Sequence, residues 1–117
     1  MQAKPTNSIQ KGQQYEDLAL AYLRKQGLKL IARNYKCQWG ELDLLMLEQS
    51  TLVIVEVRYR KNARYGSAGE SVTANKQARI VAATKHYIMN HKINQPMRFD
   101  VLDITGDIQL DWIKNAF

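Results

Sequence analysis

The chain has 117 residues, 45% of them hydrophobic and 24% charged, which is enough for one domain with a real core and excludes disordered, collagen-like and low-complexity classes. Seventeen Lys and Arg against eleven Asp and Glu leave a net charge of +6, a balance that favours polyanionic partners. The longest clean apolar run, Leu18 to Leu23, holds six residues against the roughly 20 that a membrane-spanning helix requires.

Residues 1–9 carry no apolar stretch before a small-residue cleavage site, so they read as a flexible leader and not a secretory signal, and a cytoplasmic protein is expected. No Pro- or Gly-rich linker divides the chain, and residues 1–117 are read as a single domain. Tyr15, Leu18, Ala19, Tyr22 and Leu23 recur at helical spacing and Gly27 follows as a stop, which predicts a helix over about 10–26 with Glu16 at the edge of its apolar face. Leu28 to Tyr35 reads as a strand, and a turn follows near Trp39-Gly40. Cys37 is the single cysteine, so it forms neither an internal disulfide nor a thiolate zinc site; it reads as a half-buried small hydrophobe.

Glu41 to Leu47 and Leu52 to Arg60 are strands by β-branched and aliphatic content, joined as a hairpin through Glu48-Gln49-Ser50-Thr51. A loop centred there makes opposite partners sum to 99, so Asp43 faces Glu56 and Glu41 faces Arg58. Alternation places Leu42, Leu44, Met46, Val53, Val55 and Val57 on one face and Leu45, Leu47, Leu52 and Ile54 on the other, beside the two acids. Like charges opposed across a ladder repel, so a cation is expected nearby. Between Arg58 and Arg64, four of seven residues are basic (Arg58, Arg60, Lys61 and Arg64), with Tyr59 and Tyr65 beside them; the pattern suits phosphates and stacked bases and equally suits a solvated loop.

Thr73 is an expected N-cap for a second long helix over Ala74 to Asn90, with Lys76, Arg79, Ala83 and His86 on one stripe. The basic start of that stripe places Lys76 and Arg79 where a helix N-terminus also favours phosphate. Met97, Phe99 and Val101, then Ile108, Leu110 and Trp112, make two final strands, with Arg98 and Asp100 as an internal structural ion pair. The order is α-β-β-β-α-β-β. Tyr22, Phe99 and Trp112 read as core, whereas Trp39 and Tyr65 sit in expected loops where a ring can touch a ligand.

The chemistry-bearing candidates are Glu16, Glu41, Asp43 and Glu56, with Arg58 and Lys76 as cationic neighbours. Asp43 and Glu56, opposed on buried strands, offer the oxygen ligands that Mg²⁺ takes. The same spacing also permits acids that merely pair with Arg58 and Arg60, and register decides, because a slip of one residue would separate them. His86 and His91 have no acid or cysteine cluster to make a zinc site, and nucleotide-binding glycine loops and a Gly-x-Ser-x-Gly elbow are absent.

Several motifs together carry a resemblance: Gly12-x-x-x-Glu16-x-x-Ala19, Asn34-Tyr35, Gly40-Glu41-Leu42-Asp43, Val55-Glu56-Val57-Arg58-Tyr59-Arg60, Thr73-x-x-Lys76-x-x-Arg79 and Arg98-Phe99-Asp100-Val101. In this order the chain resembles the YraN-like bacterial proteins. The resemblance implies a restriction-endonuclease-like α/β fold with a mixed central sheet flanked by helices, similar to archaeal Holliday junction resolvases. It further implies a Mg²⁺- or Mn²⁺-dependent nuclease that hydrolyses DNA phosphodiester bonds, with junction DNA as a substrate and a homodimer suited to its two-fold symmetry.

In this superfamily the acids correspond to Asp43 and Glu56, with Glu16 assisting from the first helix and the main-chain carbonyl of Val57 as a further metal ligand. Arg58 stands where the pattern calls for Lys. An Arg stays protonated and cannot be a general base, though its fork can hold a phosphate or a water. Three outcomes follow: hydrolysis with Arg58 stabilising the phosphorane, transfer of the positioning role to Lys76, or a module that binds nucleic acid without cutting it. Arg58, Arg60, Lys61, Arg64, Lys76 and Arg79 would contact phosphates in each. A protein–protein adaptor on the same scaffold is a further reading, and it predicts no salt-dependent DNA affinity.

Overall fold

The computed structural model describes residues 8–61, 72–106 and 109–117. Its elements are α1 (Ser8–Lys25), β1 (Lys29–Cys37), β2 (Gly40–Glu48), β3 (Thr51–Arg60), α2 (Ala74–His91), β4 (Met97–Thr105) and β5 (Gln109–Ile113). Helix α1 begins at Ser8, two residues before the expected start, and residues 1–7 of the expected leader lie outside the described residues. Gly27 ends α1 at φ 96°, a conformation that favours a residue with no Cβ, and the Leu28 amide donates back to the Leu23 carbonyl at 3.1 Å. At the start of α2 the Thr73 hydroxyl accepts from the Lys76 amide at 3.1 Å, as its capping role requires.

The five strands form one sheet in the order β1-β2-β3-β4-β5. Short turns make β1–β2, β2–β3 and β4–β5 antiparallel, whereas β3 and β4 run parallel because α2 intervenes as the crossover. This mixed sheet and element order match the restriction-endonuclease-like topology. Between β2 and β3 the pairs run from Leu44↔Val55 to Glu48↔Thr51, every one summing to 99. The turn is the two-residue version, Gln49-Ser50, with Gln49 at φ 54°.

Each face of the sheet carries its own core. Helix α1 supplies Ala19, Leu20 and Leu23 against Leu44, Met46, Val53, Val55 and Leu102, while α2 supplies Ile80, Ala83 and Tyr87 against Leu45, Leu52, Ile54 and Val101. Leu42 differs from the alternation expected for it: it packs with the α2-side cluster and not with Leu44. The β1–β2 pairing steps from Arg33↔Leu44 to Tyr35↔Leu42, and Asn34 between them takes a left-handed φ of 54°. Glu41 pairs with Lys36 on β1 and lies beyond the β2–β3 ladder, so the expected Glu41–Arg58 pair does not form.

The C-terminal end is tied to the sheet by Asp100, which is fully buried. Arg98 donates to both of its oxygens at 2.9 Å, the Trp112 indole donates at 2.8 Å and the Asn115 amide at 3.1 Å. Arg98 also reaches Glu48 at 2.8 Å, which links β4 to the β2–β3 turn. No helix among the described residues is long and apolar enough to cross a membrane. Because truncation removes the two-oxygen partner of Arg98 and leaves the Trp112 indole N–H and the Asn115 amide without their acceptor, Asp100→Ala is expected to lower stability by about 3 kcal/mol. Urea unfolding measures this, and a loss below about 1 kcal/mol would show that the network contributes little.

Candidate functional site

The β2–β3 ladder stops at Leu44↔Val55, one residue short of the two acids. Beyond it the Asp43 side chain takes the place of a ladder carbonyl: its Oδ2 accepts from the Val57 amide at 2.9 Å. The bond fixes the carboxyl on the strand end and opens a notch between β2 and β3. Glu56, buried to 5% exposure, fills the opposite side, and its Oε1 meets the Lys76 ammonium at 2.7 Å. Lys76 comes from the first turn of α2, which the crossover from β3 brings back over Glu56, midway along the parallel β3–β4 pairing.

Helix α1 closes the notch from the other face. Glu16 is held by the Arg33 guanidinium at 3.3 Å, and Arg33 also pairs with Asp17 at 2.6 Å and donates to the Gln13 carbonyl at 3.1 Å. Tyr15 stacks on Tyr59 with centroids 4.0 Å apart and planes 9° from parallel, which makes one wall. The resulting cavity, about 250 Å³, is lined by Gly12, Tyr15, Glu16, Asp43, Glu56, Val57, Tyr59 and Lys76.

Charge sets the character of this cavity. Burial first, then the Glu56 charge beside it and a smaller push from Glu16, raise the Asp43 carboxyl to about 8 against the opposing Val57 N–H. Two carboxyl groups crowded together, with the Lys76 ammonium on one of them, are oxygen donors of the kind a hard cation takes. Among the described residues no group of three or more His, Cys, Asp and Glu is placed to hold a metal ion.

Glu16, Asp43, Glu56, Val57 and Lys76 are thus brought together around one cavity, as the sequence motifs anticipate. Arg58 is half-buried on β3 and is not among the residues that line it. Arg60 is tied to the buried Asp103, its Nε donating to both carboxylate oxygens at 3.1 Å and its Nη2 at 2.6 Å. Neither acid of the notch therefore takes Arg60 as its partner. Lys61 is exposed at the end of β3, and Arg64 and Tyr65 lie outside the described residues. Arg79, one turn beyond Lys76, lines a neighbouring depression with Glu41 and Gly40.

Residues 15–104 match the model described as Uncharacterised protein family UPF0102. The chain belongs to this family. A UPF0102 protein of Nitrosococcus oceani is 45% identical over 97% of this chain and 96% of its own length. Others, from Saccharophagus degradans and Aeromonas hydrophila, are 54% and 51% identical over 91% and 92% of this chain, covering 91% and 84% of their own lengths. The segment matched by the UPF0102 family includes Glu16, Asp43, Glu56 and Lys76.

The raised Asp43 carboxyl has a consequence for stability with a definite sign. Between the ordinary carboxyl value and about 8, the folded state holds a proton that the unfolded chain has released, so stability falls as pH rises through that window. Asp43→Asn removes the charge and keeps an acceptor for the Val57 amide. The variant is expected to melt above the wild type at alkaline pH and to show a flatter melting profile from acid to alkaline buffer. Parallel profiles for the two proteins would contradict the assignment.

Proposed function

We propose that this chain is a metal-dependent phosphodiesterase acting on nucleic acid, with Asp43 and Glu56 holding the cation. The observation that carries the reading is the convergence of Asp43, Glu56 and Lys76 on one cavity where the β2–β3 ladder stops. When bound, a Mg²⁺ or Mn²⁺ ion supplies Lewis-acid stabilisation to the phosphoryl oxygens. Asp43, anchored through Oδ2, directs its second oxygen into the notch; Glu56 presents the facing carboxyl, and the Val57 carbonyl is assigned beside them by resemblance. Glu16, steadied by Arg33, assists from α1.

Lys76 takes the role that the family pattern gives to a lysine at the Arg58 position. Its ammonium is held by Glu56 and its side chain is 44% exposed, so it reaches a phosphate or an attacking water from the open side of the notch. Arg58 keeps the charge and the fork of a phosphate ligand without the proton chemistry of an amine. Arg58, Lys61, Arg64 and Arg79 neutralise the phosphates that flank the scissile one. Arg60 contributes to that surface only by loosening its bond to Asp103, so its main role is to brace β3 against β4.

A second reading, a nucleic-acid-binding module without turnover, is favoured by one feature: the Lys76 ammonium already occupies a Glu56 oxygen as a built-in counter-cation. Cleavage assays on linear duplex, single-stranded and four-way-junction DNA with Mg²⁺ or Mn²⁺ separate the two. Asp43→Asn and Lys76→Ala are each expected to lower the rate at least about a hundredfold, while Arg58→Lys preserves or raises it. Absence of cutting by the wild type, together with salt-dependent binding that survives in Asp43→Asn, would establish the binding module instead.

A further inference from the structure

From the acidic notch a groove continues along α2, and shared walls connect its parts. Lys76 borders both the notch and a depression of about 380 Å³; Glu41 and Arg79 border that depression and the next, of about 320 Å³. Trp39 borders the latter and a last depression of about 370 Å³, whose almost wholly apolar walls include Lys85 and Met89. The cations Lys76, Arg79 and Lys85 outnumber the one acid, Glu41, along this path.

Trp39 is 52% exposed although it is among the largest apolar side chains of the chain, and Met89 beside it is 78% exposed. Isolated surface hydrophobes are ordinary. This one is held on a turn that cannot drift: a Cβ on Gly40 would lie 2.7 Å from the Arg79 carbonyl, so glycine lets the β1–β2 turn lie directly against α2. The indole is thus presented on a fixed support, at the apolar end of a cationic groove whose other end is the acidic notch.

We propose that this groove takes single-stranded nucleic acid, with Trp39 as the stacking platform for an unpaired base while Lys76 and Arg79 follow the phosphates. The inference rests on the function proposed above and narrows its substrate class to strands with unpaired nucleotides close to the scissile bond. Every base has a π-face, so stacking on an indole tolerates any sequence, whereas the faces of a base inside a duplex are covered by its neighbours. Gly40 and Asp43 are three residues apart on β2, roughly 10 Å at 3.3 Å per residue, so a base on Trp39 lies within a few nucleotides of the notch.

Fluorescence anisotropy without divalent cation, using labelled oligo(dT), oligo(U) and a blunt duplex, tests this in the full chain. Trp39→Ala is expected to weaken oligonucleotide binding about tenfold and to leave duplex binding unchanged, and Trp39→Phe is expected to restore most of the loss. A response of both oligonucleotides supports the groove for either sugar, and a response of one supports it and names the sugar. Unaltered oligonucleotide binding by Trp39→Ala, or equal losses for oligonucleotide and duplex, would overturn the proposal and leave the apolar end to a protein or a second copy of the chain. Metal-dependent cleavage measured beside it separates the two levels: if cutting persists while Trp39→Ala binds like the wild type, only the groove assignment falls, and if the wild type neither binds nor cuts, both fall.

Discussion

The hydrogen bond from the Val57 amide to the Asp43 carboxyl is the interaction on which the site depends. A ladder that continued past Leu44↔Val55 would have bonded that amide to a backbone carbonyl and closed β2 against β3. By supplying a side-chain oxygen instead, Asp43 keeps the buried N–H satisfied and yet lets the strands part. The cost is electrostatic. Asp43 and Glu56 share a poorly solvated notch, where burial first and the neighbouring Glu56 charge second push the Asp43 carboxyl up. Local rules of strand pairing are broken here and obeyed from Leu44 to Glu48, and such a localised conflict marks a place kept for chemistry.

Two devices hold the notch open at the right size. On one face, Arg33 collects Glu16, Asp17 and the Gln13 carbonyl, so α1 enters the sheet with its acid pointed at the cavity. On the other, the parallel crossover delivers the first turn of α2 back over β3, and Thr73 caps that turn so that Lys76 emerges beside Glu56. Further from the cavity, Arg60–Asp103 stitches the ends of β3 and β4, and Asp100 fastens β5 and the terminal residues to the opposite end of β4. These are buried or partly buried charge pairs whose value is geometric: they fix where the strand ends lie.

Much of this was legible in the residues. Hairpin register is arithmetic once the turn is placed, and the sum of 99 holds from Leu44↔Val55 to Glu48↔Thr51, one residue short of the two acids; Gly27 and Thr73 announced the helix ends because φ above zero and a hydroxyl acceptor have few substitutes. What escaped depends on conformations or contacts that no local pattern encodes. Leu42 joins the α2-side cluster with Leu45 and not the cluster of Leu44, a break in alternation near the end of β2 that the residue pattern does not signal. Arg60 and Asp103 are 43 residues apart, and their meeting requires the parallel register of β3 with β4. Tyr15 was readable as an apolar helix position, but its stack on Tyr59 follows only when α1 lies over β3.

The same logic explains why Lys76 and not Arg58 stands nearest the acids. Glu56, Arg58 and Arg60 alternate along β3 and so share the α2-facing side of the sheet, yet each step along an extended strand carries a side chain about 3.3 Å further from the notch. Arg60, at the end of that row, is captured by Asp103. A lysine in the first turn of α2 approaches from above the strands and is free of that spacing, and it arrives at 2.7 Å from Glu56 with part of its side chain still in solvent. A compact ammonium placed this way neutralises the buried carboxyl while remaining open to a phosphate, which a planar guanidinium fixed by two parallel bonds could not do without surrendering one of them. The positive charge demanded by the opposed acids therefore comes from the helix, and Arg58 stays on the strand outside the cavity.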